Sequence, residues 1–299
     1  SIIYFDGSHQ PILSQNRLTY SLRHAIRYTN SNLWDNKQMT ATTTSRPPAA
    51  LVMTATINPP TGMPGVKRSN PKIRMDDYCK ALSYYLSLPS HYIDRILFIE
   101  NSGSDLSILK SIARSVEHNK KVDFIGFTGN YKPEYGKAYG EFNMLDYGIS
   151  KSHLLSDIDI FWKVTGRLKI SNLCRIIDTA PQKYQVYCDL RSVPFIGERF
   201  GSNNWMELRL YSCAVNAYKK IFYSRFSTIH RRNACLEKDC FTIVQQLATQ
   251  DRTIVPRFRL QPVFDGYGAH RNVNYQGLAY KTKEIVRTTA RLIAPWLWL

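Results

Sequence analysis

Residues 95–100 read RILFIE and run directly into Asn101-Ser-Gly-Ser-Asp105. Four consecutive apolar residues, Ile96 to Ile99, stop at an acid and a glycine-containing turn. That is the pattern of a strand buried on both faces that ends in a loop. Upstream, AALVMTATI at 49–57 stops in the same way at Asn58-Pro-Pro60. Downstream, VDFIGF at 122–127 gives a third such run. Between the first two, Met75, Tyr78, Cys79, Leu82, Tyr85 and Leu86 recur at helical spacing over 74–86. Between the second and third, Leu106, Leu109, Ile112, Ala113 and Val116 do likewise. This order predicts an α/β fold, an open and mostly parallel sheet with helices on both faces. Ligands in such sheets bind beyond the carboxyl ends of the strands, so the loops after Ile57, Ile99 and Phe127 should border one crevice.

The rest of the chain bounds this reading. Its 299 residues, 43% hydrophobic, suffice for one large core. No repeat, heptad or long low-complexity block divides it; the polar run TATTTSRPP at 40–48 is the best boundary. It separates an N-terminal arm (1–46) of no assigned role from a catalytic domain at 47–280. A net charge of +17 attracts polyanions, whether nucleic acid, anionic membrane or phosphorylated substrates. The basic residues are spread along the chain without a recognisable RNA- or DNA-binding motif, which argues against nucleic acid. The six cysteines form no CxxC pair, so a structural zinc site is not expected, and Cys79 and Cys188 read as reduced core residues. No signal layout and no apolar run of membrane-spanning length is visible, so the expected location is cytoplasmic, with a peripheral position on the inner face of the membrane as an extension.

The expected crevice collects chemistry-bearing residues. Thr54 and Thr56 end the first strand, and Lys67, Arg68 and Arg74 follow; hydroxyls, guanidinium forks and a helix N-terminus suit a diphosphate. In the second loop Glu100, with Asn101 beside it, suits a ribose or a base N–H, while Ser104 or Asp105 suits a helix cap. The segment GKAYGEFN at 136–143 enters a helix and offers Lys137, though its spacing is not that of a P-loop. A further strand, at 158–164, places Lys163, Thr165 and Arg167 on its opposite face or beyond its end.

This succession resembles the GT-A glycosyltransferases. IENSGSD at 99–105 resembles the VDDGSTD-like end of their second strand, and GKAYGEFN followed by FWKVTGRLKISNL keeps their order. A bacterial group with TATI, ENSG and WKVTGR motifs is similar over residues 51–172. The resemblance implies a GT-A-like, Rossmann-type catalytic domain with a donor half at 47–175 and an acceptor half at 176–280. It also implies transfer of a sugar from a nucleotide-sugar to a glycan or lipid-linked acceptor. Where that family carries a metal-binding Asp-x-Asp, this chain has KVTGR. The expectation is therefore metal independence, with no Mg²⁺ or Mn²⁺ cofactor, and Lys163 and Arg167 neutralising the leaving diphosphate. Asp157 and Asp159 open their strand and are expected at the opposite edge of the sheet. An inverting transfer needs a carboxylate base, for which Glu237 and then Asp239 are the candidates, with Asp189 and Glu207 in reserve. The rival readings are a nucleotidyltransferase acting on sugar phosphates, a nucleic-acid-binding protein and a non-catalytic scaffold. The first of these would need paired metal-binding carboxylates.

Two C-terminal features complete the picture. Arg257, Arg259, His270 and Arg271 flank FDGYG at 264–268, a loop able to fold back over the donor or to remain plain surface. The C-terminal segment 281–299 reads as an amphipathic helix over Lys281–Ile293, with Ile285, Val286, Ala290, Leu292 and Ile293 on one face and Lys283, Arg287 and Arg291 on another; Pro295 ends it, and Trp296 and Trp298 follow. That layout suits a membrane interface; the alternative is a helix docked on the domain.

Overall fold

The computed structural model describes residues 49–193, 203–226, 235–270, 272–293 and 298. The N-terminal arm, the boundary at 40–48, Arg271 and Trp296 lie outside the described residues.

The three runs that open the patterned region are strands β1 (Ala49–Ala55), β2 (Ile93–Glu100) and β3 (Lys121–Gly126). They are joined by helices α1 (Pro71–Ser87) and α2 (Ser107–Ser115). Asn70 caps α1, its Oδ1 accepting from the Lys72 and Ile73 amides, and Pro71 supplies a fixed φ in the first turn. The buried face of α1 is Arg74, Tyr78, Ala81, Leu82, Tyr85 and Leu86. It is rotated from the expected stripe, because Arg74 turns inward under the first loop while Met75 and Cys79 are only half-buried.

Helix α3 (Lys137–Lys151) leads to β4 (Ile160–Thr165), and β5 (Lys169–Ile170) and α4 (Leu173–Thr179) follow. The second half contributes β6 (Val186–Tyr187), the small hairpin β7 (Leu190–Arg191) and β8 (Trp205–Met206), then β9 (Leu210–Ala214) and α5 (Val215–Ile221). After it come α6 (Leu236–Gln250), β10 (Ile254–Val255), β11 (Phe264–Asp265) and α7 (Leu278–Ile293).

Seven strands form one Rossmann-like sheet in the order β10-β6-β9-β4-β1-β2-β3. All adjacent pairs are parallel except the two that β9 makes, with β4 and β6. β1 is buried along its whole length because it is covered on both faces. Ala50 and Val52 face the core formed with α3, α5 and α6, and Leu51 and Met53 face the one formed with α1, α2 and α4. Strand order reverses at β1, which has β2 on one side and β4 on the other. This is the switch point where an open sheet forms its crevice. Gly166 permits the close approach there: its amide donates to the Thr54 carbonyl at 2.8 Å, and a Cβ would lie 2.9 Å from that oxygen.

The carboxyl edge extends through the second half. β9 is antiparallel to its neighbours, so its first residues lie beside the last residues of β4 and β6. Asp189, Glu207, Arg209 and Arg257 therefore stand beyond the same edge as Thr54 and Thr165. Asp157, in contrast, is ion-paired with Arg95 near the start of β2, at the opposite edge.

Helix α7 starts at Leu278, three residues before the expected position, and it departs from the sequence reading in orientation. Of the two readings the helix is docked on the domain, but by its basic side: Arg291 and Ala290 are buried and Arg287 is half-buried, while most of the apolar face stays exposed. Trp298 also departs from a lipid-facing role. It pairs with Ser192 and meets the Phe241 ring edge-on at 6.5 Å.

Candidate functional site

The first zone of the edge lies beyond β1, β2 and β3. The loop from Thr56 to Asn70 encloses a cleft of about 310 Å³ lined by Asn58, Pro60, Met63, Val66 and Ser69 among others. It continues into a smaller one of about 100 Å³ between Thr56, Asn58, Asn101, Ser102, Thr128 and Tyr131. The lining of the second is neutral: hydroxyls, amides and one aromatic ring. Asn101 forms its back wall, accepting from Thr56 Oγ1 at 2.7 Å and donating to the Gly140 carbonyl at 3.4 Å. Tyr131 packs directly over Gly140, where a Cβ would come within 2.0 Å of its hydroxyl.

Of the cations expected to bind phosphate here, Arg68 and Arg74 are engaged in holding the loops, while Lys67 is exposed. Arg68 forks onto both Asp77 oxygens at 2.6 and 2.8 Å, bonds Asn272 and lies over the Tyr267 ring at 4.4 Å. The Asp77 hydrogen bond raises its pKa. Arg74 is buried and donates to the carbonyls of Thr56 and Arg68 and to the Tyr78 hydroxyl. Glu100 is fully buried. It accepts from the amides of Ile57, Ser102 and Ser104 and from the Ser102 hydroxyl, so it organises its own turn and is no ribose ligand. Asp105 accepts from the amide and hydroxyl of Ser107, but the N-cap position of α2 is Leu106. The FDGYG loop folds over the first loop: the Lys67 and Arg68 amides donate to the Ala269 carbonyl, and Arg167 donates to that of Tyr267.

The second zone sits at the switch point. Lys163 is fully buried and donates to Glu141 and to the Leu208 carbonyl. Burial lowers its pKa, against the pull of Glu141. Thr54 and Thr165 give Glu141 further hydrogen bonds, at 3.0 and 3.4 Å. Arg167 is buried as well, with Arg74 and Tyr78 nearby, and burial lowers its pKa too. Lys163 is committed to Glu141 and the Leu208 carbonyl and Arg167 to the Tyr267 carbonyl, so neither stands free as a leaving-group cation. Lys137 opens α3 immediately after Gly136, which takes φ 87° to turn the chain into the helix. Its side chain is 51% exposed and lies 3.9 Å from Glu237 in the first turn of α6. Asp239, one face round on α6, is half-buried.

A third zone, beyond β6, β9 and β10, is rich in arginine. Arg191 and Arg209 converge on buried Glu207, and Arg291 forks onto buried Asp189 at 3.0 Å to each oxygen. Burial would raise both carboxyl pKa values, but the guanidiniums of Arg209 and Arg191 at Glu207, and of Arg291 and Arg257 at Asp189, bring them below the ordinary range. Burial pushes Arg257 down to about 9 and Arg287 down to about 10. The reserve bases Asp189 and Glu207 are therefore structural counter-ions. Among the described residues no three His, Cys, Asp or Glu side chains converge as a metal site.

Glu141, Tyr131, Asn58, Ser102 and Thr128 are site residues that the sequence reading does not single out. Thr128 directly follows the third strand, and Glu141 falls one helical turn after Lys137; both positions carry the signal.

No family model matches the chain, and no curated protein matches it. Solved structures do align. The inositol-1-phosphate CTP transferase from T. maritima matches at 12% identity and a TM-score of 0.44, over 81% of this chain and 96% of that one. A cytidylyltransferase from Leptospira borgpetersenii serovar Hardjo-bovis matches at 9% and 0.36, over 68% and 73%. HddC from Yersinia pseudotuberculosis matches at 12% and 0.32, over 64% and 84%. At these identities no activity is carried over with the likeness. The expected glycosyltransferase nonetheless finds no counterpart among these structures, two of which are named for nucleotidyl transfer. Its proposed leaving-group cations, Lys163 and Arg167, are both buried and bonded within the protein. That expectation is withdrawn.

Proposed function

We propose that this chain is a nucleotidyltransferase that joins a nucleoside triphosphate to a sugar phosphate. The supporting observation is the state of the acids along the carboxyl edge. Glu100, Glu141, Asp189 and Glu207 are all engaged by amides, an ammonium or guanidiniums, and Glu237, the first base candidate, faces the Lys137 ammonium at 3.9 Å. Transfer to a hydroxyl needs a free base to take its proton. A phosphate monoester needs none, because its second pKa is about 6 and it is already an anionic nucleophile at neutral pH.

In this reading the neutral groove takes the nucleoside, with Asn101 and Thr56 against its polar edge and Tyr131 against the base. The triphosphate extends toward the α3 N-terminus. There an oxygen of the sugar phosphate attacks the α-phosphorus, the bond from that phosphorus to the bridging oxygen breaks, and pyrophosphate leaves with the electron pair. Lys137 and the uncapped amides of α3 stabilise the charge that develops on it. Such transfers commonly employ Mg²⁺ held by paired carboxylates. The acids here do not fit that role, since Glu100 and Glu141 are committed to other partners, and no step is assigned to a metal.

The test is pyrophosphate release from the purified protein with a panel of nucleoside triphosphates and sugar 1-phosphates. A productive pair should appear, with kcat lowered about a hundredfold by Lys137→Ala, the scale of one lost transition-state donor. Asn101→Ala should raise KM about tenfold, the scale of one well-made hydrogen bond. Failure of every pair to release pyrophosphate overturns the reading.

A further inference from the structure

Helix α7 is mounted with its polar side toward the protein. Arg291 forks onto Asp189, bonds the Gln261 side chain at 2.7 Å and reaches the Phe258 carbonyl. Tyr280 accepts from Arg209 at 3.3 Å, Glu284 is buried, and Arg287 is half-buried. A soluble helix ordinarily turns its apolar stripe to the core and its charges to water. Here Leu278, Ile285, Val286, Leu292 and Ile293 are 84, 66, 55, 79 and 72% exposed. At 3.6 residues per turn these five share one outward face, with exposed Lys281 and Lys283 on its two flanks.

We propose that this face seats the protein on an anionic lipid surface. A row of large apolar side chains bordered by lysines matches a bilayer interface, where the apolar residues enter the acyl boundary and the ammoniums meet headgroup charge. The chain's net charge of +17 complements an anionic leaflet and opposes pairing with a second copy that carries the same charge. The ion pairs of Arg291 hold the helix so that only the apolar face is presented. The lipid-facing elements are thus the apolar row and the two lysines, while Arg287 and Arg291 serve as its anchors to the domain. No helix among the described residues is long and apolar enough to cross a membrane, which agrees with surface seating.

Flotation of the full chain with mixed phosphatidylglycerol–phosphatidylcholine vesicles and with pure phosphatidylcholine vesicles tests this. The protein should float with the anionic vesicles and much less with the neutral ones. Ile285→Ser/Leu292→Ser should lower the bound fraction by at least about tenfold, and Lys281→Glu/Lys283→Glu by about tenfold. Thermal melts of both variants should match the parent, since none of the four side chains is buried. Absence of flotation overturns the proposal, as does equal flotation of parent and both variants. Light scattering in parallel separates the rival occupant: a dimer that Ile285→Ser/Leu292→Ser dissolves makes a second copy the partner and overturns the lipid assignment.

Discussion

The two ends of the carboxyl edge use charge in different ways. Beyond β1 to β3, charges behind the groove are matched locally, Arg68 with Asp77 and Glu100 with the amides of its own turn. The lining of the groove itself is neutral. Beyond β6, β9 and β10, five guanidiniums (Arg191, Arg209, Arg257, Arg287 and Arg291) surround the carboxyls of Asp189, Glu207 and Glu284. The first end is finished by hydrogen bonds and presents shape; the second is held together by a buried electrostatic network that carries an excess of positive charge. Charged residues at a strand end can thus be scaffold as readily as ligand.

The contrast can be broken most severely at Glu207. Glu207→Ala leaves Arg191 and Arg209 buried without their shared carboxylate, and urea denaturation should show a loss of about 3–5 kcal/mol. Arg68→Ala, at the other end, removes a pair with some solvent access and should cost clearly less. The pH dependence follows from the same pairs. Asp189 and Glu207 have folded pKa values below their unfolded ones of about 4, so their contribution is complete above that value and is lost as pH falls through the depressed folded values. Melting temperature should fall steeply on acidification below about pH 4 in the parent, and Glu207→Gln should show a shallower acid limb.

A smaller change sharpens the neutral end. Gly140→Ala improves helix propensity by roughly 1 kcal/mol but drives Tyr131 off its seat. Nucleotide affinity should drop about tenfold, the scale of one lost stacking contact, with stability nearly unchanged. Equal loss of binding and stability would mean that Tyr131 supports the fold and does not receive a base. The smallest effect belongs to Tyr267→Ala, which removes the ring under Arg68. It should cost about 1 kcal/mol and speed amide exchange in the 61–70 loop, while the groove residues keep their protection.

The sheet's first three strands and the helices between them are legible in the sequence because doubly covered strands must be continuous apolar runs. AALVMTATI and RILFIE each have one satisfactory reading. The second half is harder because β6, β7, β8 and β10 are two residues each and have no periodicity to read. The direction of β9, and so the side on which Arg209 and Glu207 emerge, is a tertiary outcome. At the site, strand ends marked the right loops but not the allegiance of each side chain. Arg68 binds Asp77, nine positions along, and Lys163 meets Glu141, which the sequence places on a different element. The inward-facing Arg291 was likewise illegible, since its partner Asp189 lies 102 residues away.

The position of β1 at the switch point also has a consequence for synthesis. It is the earliest described strand to emerge, and its seven residues are all buried in the finished protein. β2 covers one of its edges soon after, but the other edge waits for residues 160–165. Until then the nascent chain carries an apolar strand with an open row of amides and carbonyls, the kind of edge that recruits other chains. Translation pauses or crowding before β4 emerges would therefore favour aggregation, whatever the equilibrium stability of the completed domain.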